Sequence, residues 1–141
     1  MTEIIFQGLL ILVFFVSGAS LEANTCSCQP PATVKEQLSQ NDAVVIGRVL
    51  TIRQVSRKHG QQEHLIEFGI ERSWKGPRNG HINVTTGSLG TINDCGVAFQ
   101  LGATYLLMAQ GKKGKLTTST CNGTKDIGAA ANQMRELDQI H

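Results

Sequence analysis

The pattern of apolar and polar positions predicts five β-strands in the chain. The first is β-branched and almost continuously apolar, which is typical of a strand buried on both faces for part of its length. Gly47 within it indicates a bulge, which lets a strand bend into a small closed barrel. The second and third alternate apolar with polar residues, as strands with one buried face do. The predicted strands are residues 43–52, 64–72, 81–85, 104–109 and 116–120.

Two helices are predicted on either side of these strands. Val34 and Leu38 are four residues apart within residues 32–40, which predicts a short helix that begins after two prolines. The second helix, residues 127–140, has its apolar positions on one face: Ala130, Met134 and Leu137.

These elements together predict a mainly β fold. The polar residues 54–63 form a hairpin connection with Gly60 at its tip. The strand count and chain length fit a five-stranded, OB-fold-like Greek-key barrel with a short N-terminal helix and a C-terminal helix. A β-sandwich is the alternative that the pattern leaves open.

The N-terminal segment is predicted to be a signal peptide. Residues 4–16 are apolar apart from one glutamine and one glycine, a length that suits a signal-peptide core and is short for a membrane span. The preceding residues contain no Lys or Arg, so a membrane anchor remains the alternative. We therefore divide the chain into a signal peptide, residues 1–25, and a single domain, residues 26–141.

The position of the signal-peptidase cut stays open between two sites. A cut after Ser20 satisfies the small-residue rule best, but it leaves residues 21–25 ahead of Cys26. A cut after Thr25 lies farther from the apolar core and makes Cys26 the first residue, with a free α-amine. The first site is slightly favoured by the sequence rules alone.

The charge of the mature chain is mildly basic. Removing residues 1–25 takes away Glu3 and Glu22 and no basic residue, so the net charge rises from +2 to +4. Such a charge is compatible with an acidic matrix or an acidic enzyme surface and does not indicate nucleic acid. No membrane partner is expected after cleavage of the signal peptide.

The cysteines and two N-glycosylation sequons are also typical of a secreted protein. The four cysteines, an even number, predict two disulfides with three possible connectivities; they are Cys26, Cys28, Cys95 and Cys121. A zinc site made of all four is the weaker alternative, because the chain lacks paired CxxC motifs. Asn83-Val84-Thr85 and Asn122-Gly123-Thr124 match the N-glycosylation sequon, and Asn122 is favoured because it lies in a predicted turn.

The chain contains no recognisable catalytic set. No HExxH, GxSxG, P-loop, GxGxxG or paired-carboxylate motif occurs, and the histidines are scattered: His59, His64, His81 and His141. The sequence therefore predicts a protein that is not an enzyme and has no cofactor of its own.

Four motifs occur in a specific order in the predicted mature chain. They are Cys26-Ser27-Cys28-Gln29-Pro30-Pro31, Asp42-Ala43-Val44-Val45-Ile46-Gly47-Arg48-Val49, Asp94-Cys95-Gly96 before Gly102-Ala103-Thr104-Tyr105-Leu106-Leu107, and Leu116-Thr117-Thr118-Ser119-Thr120-Cys121. In this order and spacing they resemble the N-terminal, netrin-like domain of tissue inhibitors of metalloproteinases. The resemblance covers residues 26 to about 121, and a helix follows as in that domain.

The resemblance implies a secreted inhibitor of zinc metalloproteinases with an OB-type barrel. It implies the disulfides Cys26–Cys95 and Cys28–Cys121. The α-amine and carbonyl oxygen of Cys26 would chelate the catalytic zinc, which belongs to the target protease, and Ser27 would point into the specificity pocket. The protease-contacting residues would be Ser27, Cys28, Gln29, Pro30, Thr91, Ile92, Asn93 and Asp94.

The chain departs from the family in two respects. A third disulfide of the family is missing, since its first cysteine would fall near Ser39. The sequence also has no counterpart of the family's C-terminal domain, so partners that use that domain are not inferred. The missing disulfide and the unfavourable context of a cut before Cys26 motivate an alternative, a secreted, non-inhibitory netrin-like module that binds extracellular matrix or a receptor through its barrel surface.

Overall fold

The computed structural model describes residues 28, 33–56, 62–87 and 95–141. Its strands are β1 (Ala43–Ser56), β2 (Gln62–Lys75), β3 (His81–Gly87), β4 (Thr104–Ala109), β5 (Leu116–Thr117) and β6 (Lys125–Asp126). Its α-helices are α1 (Val34–Gln40) and α2 (Ala131–Ile140), and short 3₁₀ helices cover Thr120–Asn122 and Ile127–Ala129. The fold is mainly β, as predicted: one curled, half-barrel sheet with two helices.

All six described strands belong to one sheet, in the order β5-β3-β2-β1-β4-β6. Neighbouring strands are antiparallel, except that β3 and β5 are parallel. An additional bridge joins Gln110, directly after β4, to Thr117 of β5. This bridge joins β5, at one end of the sheet order, to the residue that follows β4, which is the last strand but one at the other end, so the sheet curls back toward itself.

The prediction of five strands is wrong in number, and its fifth strand is too long. That strand ends at Thr117, because Thr118 turns its hydroxyl to the Met108 carbonyl and Ser119 begins a 3₁₀ helix by accepting a hydrogen bond from the Cys121 N–H. The sixth strand, β6, is two residues long. A strand that short has no alternating pattern by which the sequence could reveal it.

The hairpin of β1 and β2 extends farther than its polar sequence predicts. Residues 54–56 and 62–63, assigned above to the connection, pair in antiparallel register, for example Gln54 with His64 and Val55 with Glu63. β4 pairs with β1 only from Ala43 to Arg48. Most side chains of the distal half of β1 are therefore exposed, which explains why polar residues are tolerated there.

Irregularities in β1 produce part of the curl. The register against β2 shifts between Ile46 and Gly47, and again around Leu50, which lies between two paired residues without a partner on β2. A Cβ at Gly47 would lie 3.0 Å from the Cβ of Phe68. The predicted bulge at Gly47 is thus confirmed, and the close approach of Phe68 explains why glycine occupies this position.

Apolar side chains form two cores, one on each face of the sheet. The inner core fills the concave face; its buried members include Val45, Val49, Ile66, Phe68, Val84 and Leu107. The outer core lies between the convex face and the helices; its members are Val34, Val44, Trp74, Leu106, Met108, Ala130 and Leu137. β1 and β4 contribute alternate residues to both cores, so the prediction that β1 is buried on both faces is confirmed.

The two helices are close to their predicted positions. α1 begins with a capping box, in which Thr33 and Glu36 exchange backbone and side-chain hydrogen bonds. The predicted C-terminal helix is divided instead, because Asp126 accepts a hydrogen bond from the Gly128 N–H and starts a separate 3₁₀ turn before α2. The predicted apolar face is confirmed: Ala130 and Leu137 are fully buried, and Met134 packs against them.

A polar group at the edge of the outer core attaches α2 to β2. Trp74 Nε1 donates a hydrogen bond of 2.9 Å to Asp138 Oδ1. The Arg72 guanidinium forms an ion pair with the same carboxylate and stacks over the Trp74 ring, 4.5 Å from its centroid. The Trp74 hydrogen bond, followed by the Arg72 hydrogen bond and charge, holds the pKa of Asp138 below its ordinary value of 3.8.

This arrangement predicts a pH-dependent contribution to stability. A lowered folded-state pKa means that ionised Asp138 stabilises the fold above pH 3.8, and that this contribution is lost as pH falls through the folded-state value. Asp138→Asn should therefore be less stable than the wild type near neutral pH, with the difference shrinking in acid. Urea unfolding of both proteins from about pH 6 to about pH 2.5 measures this difference, and a constant gap would contradict the assignment.

Candidate functional site

Three of the four cysteines lie among the described residues, and all three form disulfides. Cys28 is bonded to Cys121, with their Cα atoms 5.3 Å apart and a sequence separation of 93, which is the pairing that the resemblance implies. Cys95 is also disulfide-bonded. Its implied partner, Cys26, lies outside the described residues. In the chain-entropy account, a bridge that closes a loop of this length stabilises the fold by about 4 to 5 kcal/mol.

A buried polar cluster holds the segment that carries Cys121 against β4. Thr118 Oγ1 donates to the Met108 carbonyl at 2.8 Å, and Thr124 Oγ1 accepts from the Met108 N–H at 2.9 Å. The two hydroxyl oxygens are 2.7 Å apart, and both threonines are buried. Because they lie three residues before and three residues after Cys121, the disulfide is attached to a short segment fixed at both ends.

The side chain of Asn41 connects this segment to the end of α1. Its Nδ2 donates to the carbonyl oxygens of Gln37, at 2.8 Å, and Asn122, at 3.2 Å. The Asn122 side chain donates back to Asn41 Oδ1 at 3.1 Å, and its own Oδ1 accepts from the Ser119 N–H at 3.0 Å. Asn41 is only 2% exposed, so these bonds satisfy a buried amide.

The segment that begins at Cys95 approaches the same region closely. The Cys95 carbonyl accepts a hydrogen bond of 2.9 Å from the N–H of Thr120, the neighbour of Cys121. A Cβ at Gly96 would collide with the Gly87 carbonyl at the end of β3, so only glycine fits there. The Val97 N–H donates to the Thr86 hydroxyl at 2.9 Å. Cys28, Cys95 and Cys121 are therefore neighbours at one end of the sheet, and we call them the cysteine cluster.

The structure describes only part of the predicted inhibitory site. Cys28 is described, and Asp94 and Cys26 are one and two residues away along the chain from members of the cysteine cluster. Cys26 and Asp94 themselves lie outside the described residues. The same is true of the other predicted contact residues, which are Ser27, Gln29, Pro30, Thr91, Ile92 and Asn93.

An open cleft of about 440 Å³ lies between the distal β1–β2 hairpin and residues 97–99. Its lining combines apolar and polar side chains: Ile52, Gln54, Gln62, His64, Ile66, Val97, Ala98 and Phe99. Phe99 makes edge-on contacts with Phe68 and Tyr105, at centroid distances of 5.1 and 4.8 Å. The sequence analysis missed Phe99. The alternation of Val97 and Phe99 in the connection that precedes β4 was the available signal.

The two sequons have different surroundings. Asn83 faces outward on β3 and is exposed. Asn122 lies in the 3₁₀ helix beside Cys121, and its side chain takes part in the Asn41 network. The structure therefore favours Asn83, the reverse of the order expected from the sequence.

Comparison with protein-family models and with curated proteins gives no match for this chain. Within the described ranges, no group of three or more His, Cys, Asp or Glu side chains is arranged to hold a metal ion. No helix among those same residues is long and apolar enough to cross a membrane.

The Thr118–Thr124 cluster generates a stability prediction. Thr124→Val should destabilise the protein by about 1–3 kcal/mol, because the buried Met108 N–H loses its hydrogen-bond acceptor. Thr117→Val is the matched control: the Thr117 side chain is exposed and makes only a 3.5 Å contact with the Gln110 carbonyl, and its backbone hydrogen bonds are unaffected, so the effect should stay within about 0.5 kcal/mol. Urea unfolding measures both variants, and equal effects would show that the buried cluster does not stabilise this segment.

Proposed function

We propose that this protein is a secreted inhibitor of zinc metalloproteinases that acts through an N-terminus beginning at Cys26. The observation that carries the proposal is the cysteine cluster, in which Cys28 is bonded to Cys121 and the Cys95 carbonyl accepts a hydrogen bond from Thr120. Residues 91–94 directly precede Cys95 in the sequence, and Cys26 is two residues before Cys28, so the chain connects both predicted contact segments directly to this cluster.

The proposed chemistry uses the main chain of Cys26. A free α-amine and the carbonyl oxygen of the same residue can form a five-membered chelate with a divalent metal. A catalytic zinc keeps one coordination position for water or substrate, and this chelate would take that position. The amine binds only when neutral, and α-amines have pKa values of about 7.7–8.0, so the inhibition should weaken as the pH falls below that range.

The remaining predicted contact residues would fill the cleft of the protease on either side of its zinc. Ser27 would enter the specificity pocket, Cys28, Gln29 and Pro30 would continue the first edge, and Thr91, Ile92, Asn93 and Asp94 would form the second. Anchoring of Cys28 and Cys95 supports this arrangement, because a segment that is already tethered loses less conformational entropy on binding. The protein would be an inhibitor and not an enzyme, with no cofactor of its own.

Strand pairing supports the finer part of the fold proposal, an OB-type barrel. β1 pairs with both β2 and β4, β3 pairs in parallel with β5, and the Gln110–Thr117 bridge connects the end of β4 to β5. Connected in this way, five of the six described strands would form a partly closed Greek-key barrel, with β6 as a two-residue addition beside β4.

A single added residue tests the mechanism. An alanine placed before Cys26 converts the α-amine into a peptide nitrogen that cannot bind zinc. We expect at least a thousandfold loss of inhibition of a matrix-type metalloproteinase, equivalent to about 4 kcal/mol. The inhibition constant is measured with the purified catalytic domain and a fluorogenic peptide, on protein whose N-terminal residue has been sequenced.

The matched control carries the extra alanine after His141, which leaves the Cys26 amine free. It should inhibit as strongly as the unextended protein. Full potency of the variant with alanine before Cys26 would refute the chelation mechanism. A naturally secreted chain that starts at Leu21 and does not inhibit would instead favour the non-inhibitory netrin-like module.

A further inference from the structure

Two sequons in one small domain raise the question of which asparagine can carry a glycan. An N-linked glycan is bulky and polar, and it replaces a hydrogen on the asparagine Nδ2, so the folded protein must leave that nitrogen facing solvent. The surroundings of Asn83 and Asn122 differ in this respect.

Asn122 is poorly suited to carry a glycan. Its Nδ2 donates to Asn41 Oδ1 at 3.1 Å, and Asn41 is 2% exposed, so one of the two Nδ2 hydrogens is directed at a buried side chain and the amide is held in a fixed orientation. Its Oδ1 accepts two bonds from Ser119, from the N–H at 3.0 Å and from the hydroxyl at 2.7 Å. The sequon threonine, Thr124, is also buried, and its hydroxyl bonds to Met108.

Asn83 has open surroundings. It lies between Ile82 and Val84, which point into the inner core, so its own side chain points away from that core. Among the described residues, none forms a hydrogen bond with the Asn83 side chain. β5 pairs with β3 only at Val84 and Thr85, so no described strand runs beside Asn83 on the side away from β2.

We propose that Asn83 carries an N-linked glycan and that Asn122 does not. The modification forms a bond between Asn83 Nδ2 and the anomeric carbon of a lipid-pyrophosphate-linked oligosaccharide. The lipid pyrophosphate leaves, and the amide nitrogen loses one proton. This inference rests on the secretion that the proposed function requires, and it is independent of zinc chelation.

The position of Asn83 is compatible with the proposed inhibitory site. Asn83 is four residues before Gly87, which is about 13 Å along the strand. Gly87 contacts Gly96, the residue after Cys95. The glycan would therefore begin well away from the cysteine cluster, and it would lie near the part of β3 that has no described strand beside it on the side away from β2. Unpaired strand edges can pair with other chains, and a bulky polar group would hinder such pairing.

Site mapping on the wild-type protein is the first test. The full chain is expressed in a mammalian secretory cell line, and protein from the medium is treated with peptide-N-glycosidase F in heavy-oxygen water. The enzyme converts a glycosylated asparagine to labelled aspartate, which peptide mass spectrometry locates without any substitution. The label is expected at residue 83 alone. Label at residue 122, or secreted protein without any label, would overturn the inference.

A pair of variants gives the second test. Asn83→Gln should abolish the mobility shift on deglycosylation, whereas Asn122→Gln should retain it. Asn122→Gln disturbs a structural network and could reduce secretion, so the wild-type map decides the result if that variant is not recovered. Asn83→Gln should inhibit a metalloproteinase within about twofold of the wild type. Glycosylated protein that fails to inhibit would count against the proposed function alone.

Discussion

The structure depends above all on the course of β1, which has antiparallel partners on both sides and contributes side chains to both cores. It pairs with β2 over most of its length and with β4 from Ala43 to Arg48. Its register shifts bend it, and Gly47 lets Phe68 pack directly against its backbone. Bulged strands twist more strongly than regular ones, so a sheet built around β1 curls. The curl creates the concave face that encloses the inner core, and it brings the end of β4 near β5.

The curl also brings the cysteine cluster together. The Gln110–Thr117 bridge places β5 so that residues 118–124 run alongside β4, where Met108 bonds to Thr118 and Thr124. Cys121 lies in the middle of that segment. The disulfide from Cys28 then attaches the beginning of the described chain to a position already fixed by hydrogen bonds. Covalent and non-covalent constraints act on the same few residues, which is the arrangement that a rigid binding edge needs.

Sequence patterns predicted the elements that are long enough to show a strand-like alternation or a helical spacing of apolar residues. Alternation identified β2 and β3, and the spacing of Ala130, Met134 and Leu137 identified the buried face of α2. β6 and the early end of β5 were missed, because they depend on the Thr118 and Thr124 hydrogen bonds to β4, which no local pattern reports. The connectivity of Cys28 came only from the resemblance, since four cysteines allow three pairings. Phe99 was missed because it lies in a connection between strands, where no helical or strand repeat marks a buried position. Its ring contacts with Phe68 and Tyr105 form only in the folded chain.

The two faces of the sheet pack against different parts of the chain, and this difference matters for the proposed inhibitory mechanism. The convex face holds the helices through the outer core and the Trp74–Asp138 bond, whereas Cys95 and Phe99 lie on a segment that packs against the inner-core side. β1 and β4 are shared by both cores, so loosening the helices would weaken the strand on which the Cys121 segment rests. A small domain whose apolar residues are divided between two cores has a low free energy of unfolding. Disulfides stabilise such domains by constraining the unfolded chain. The bridge at Cys28 thus has two effects: it stabilises the fold and tethers the segment proposed to bind the protease.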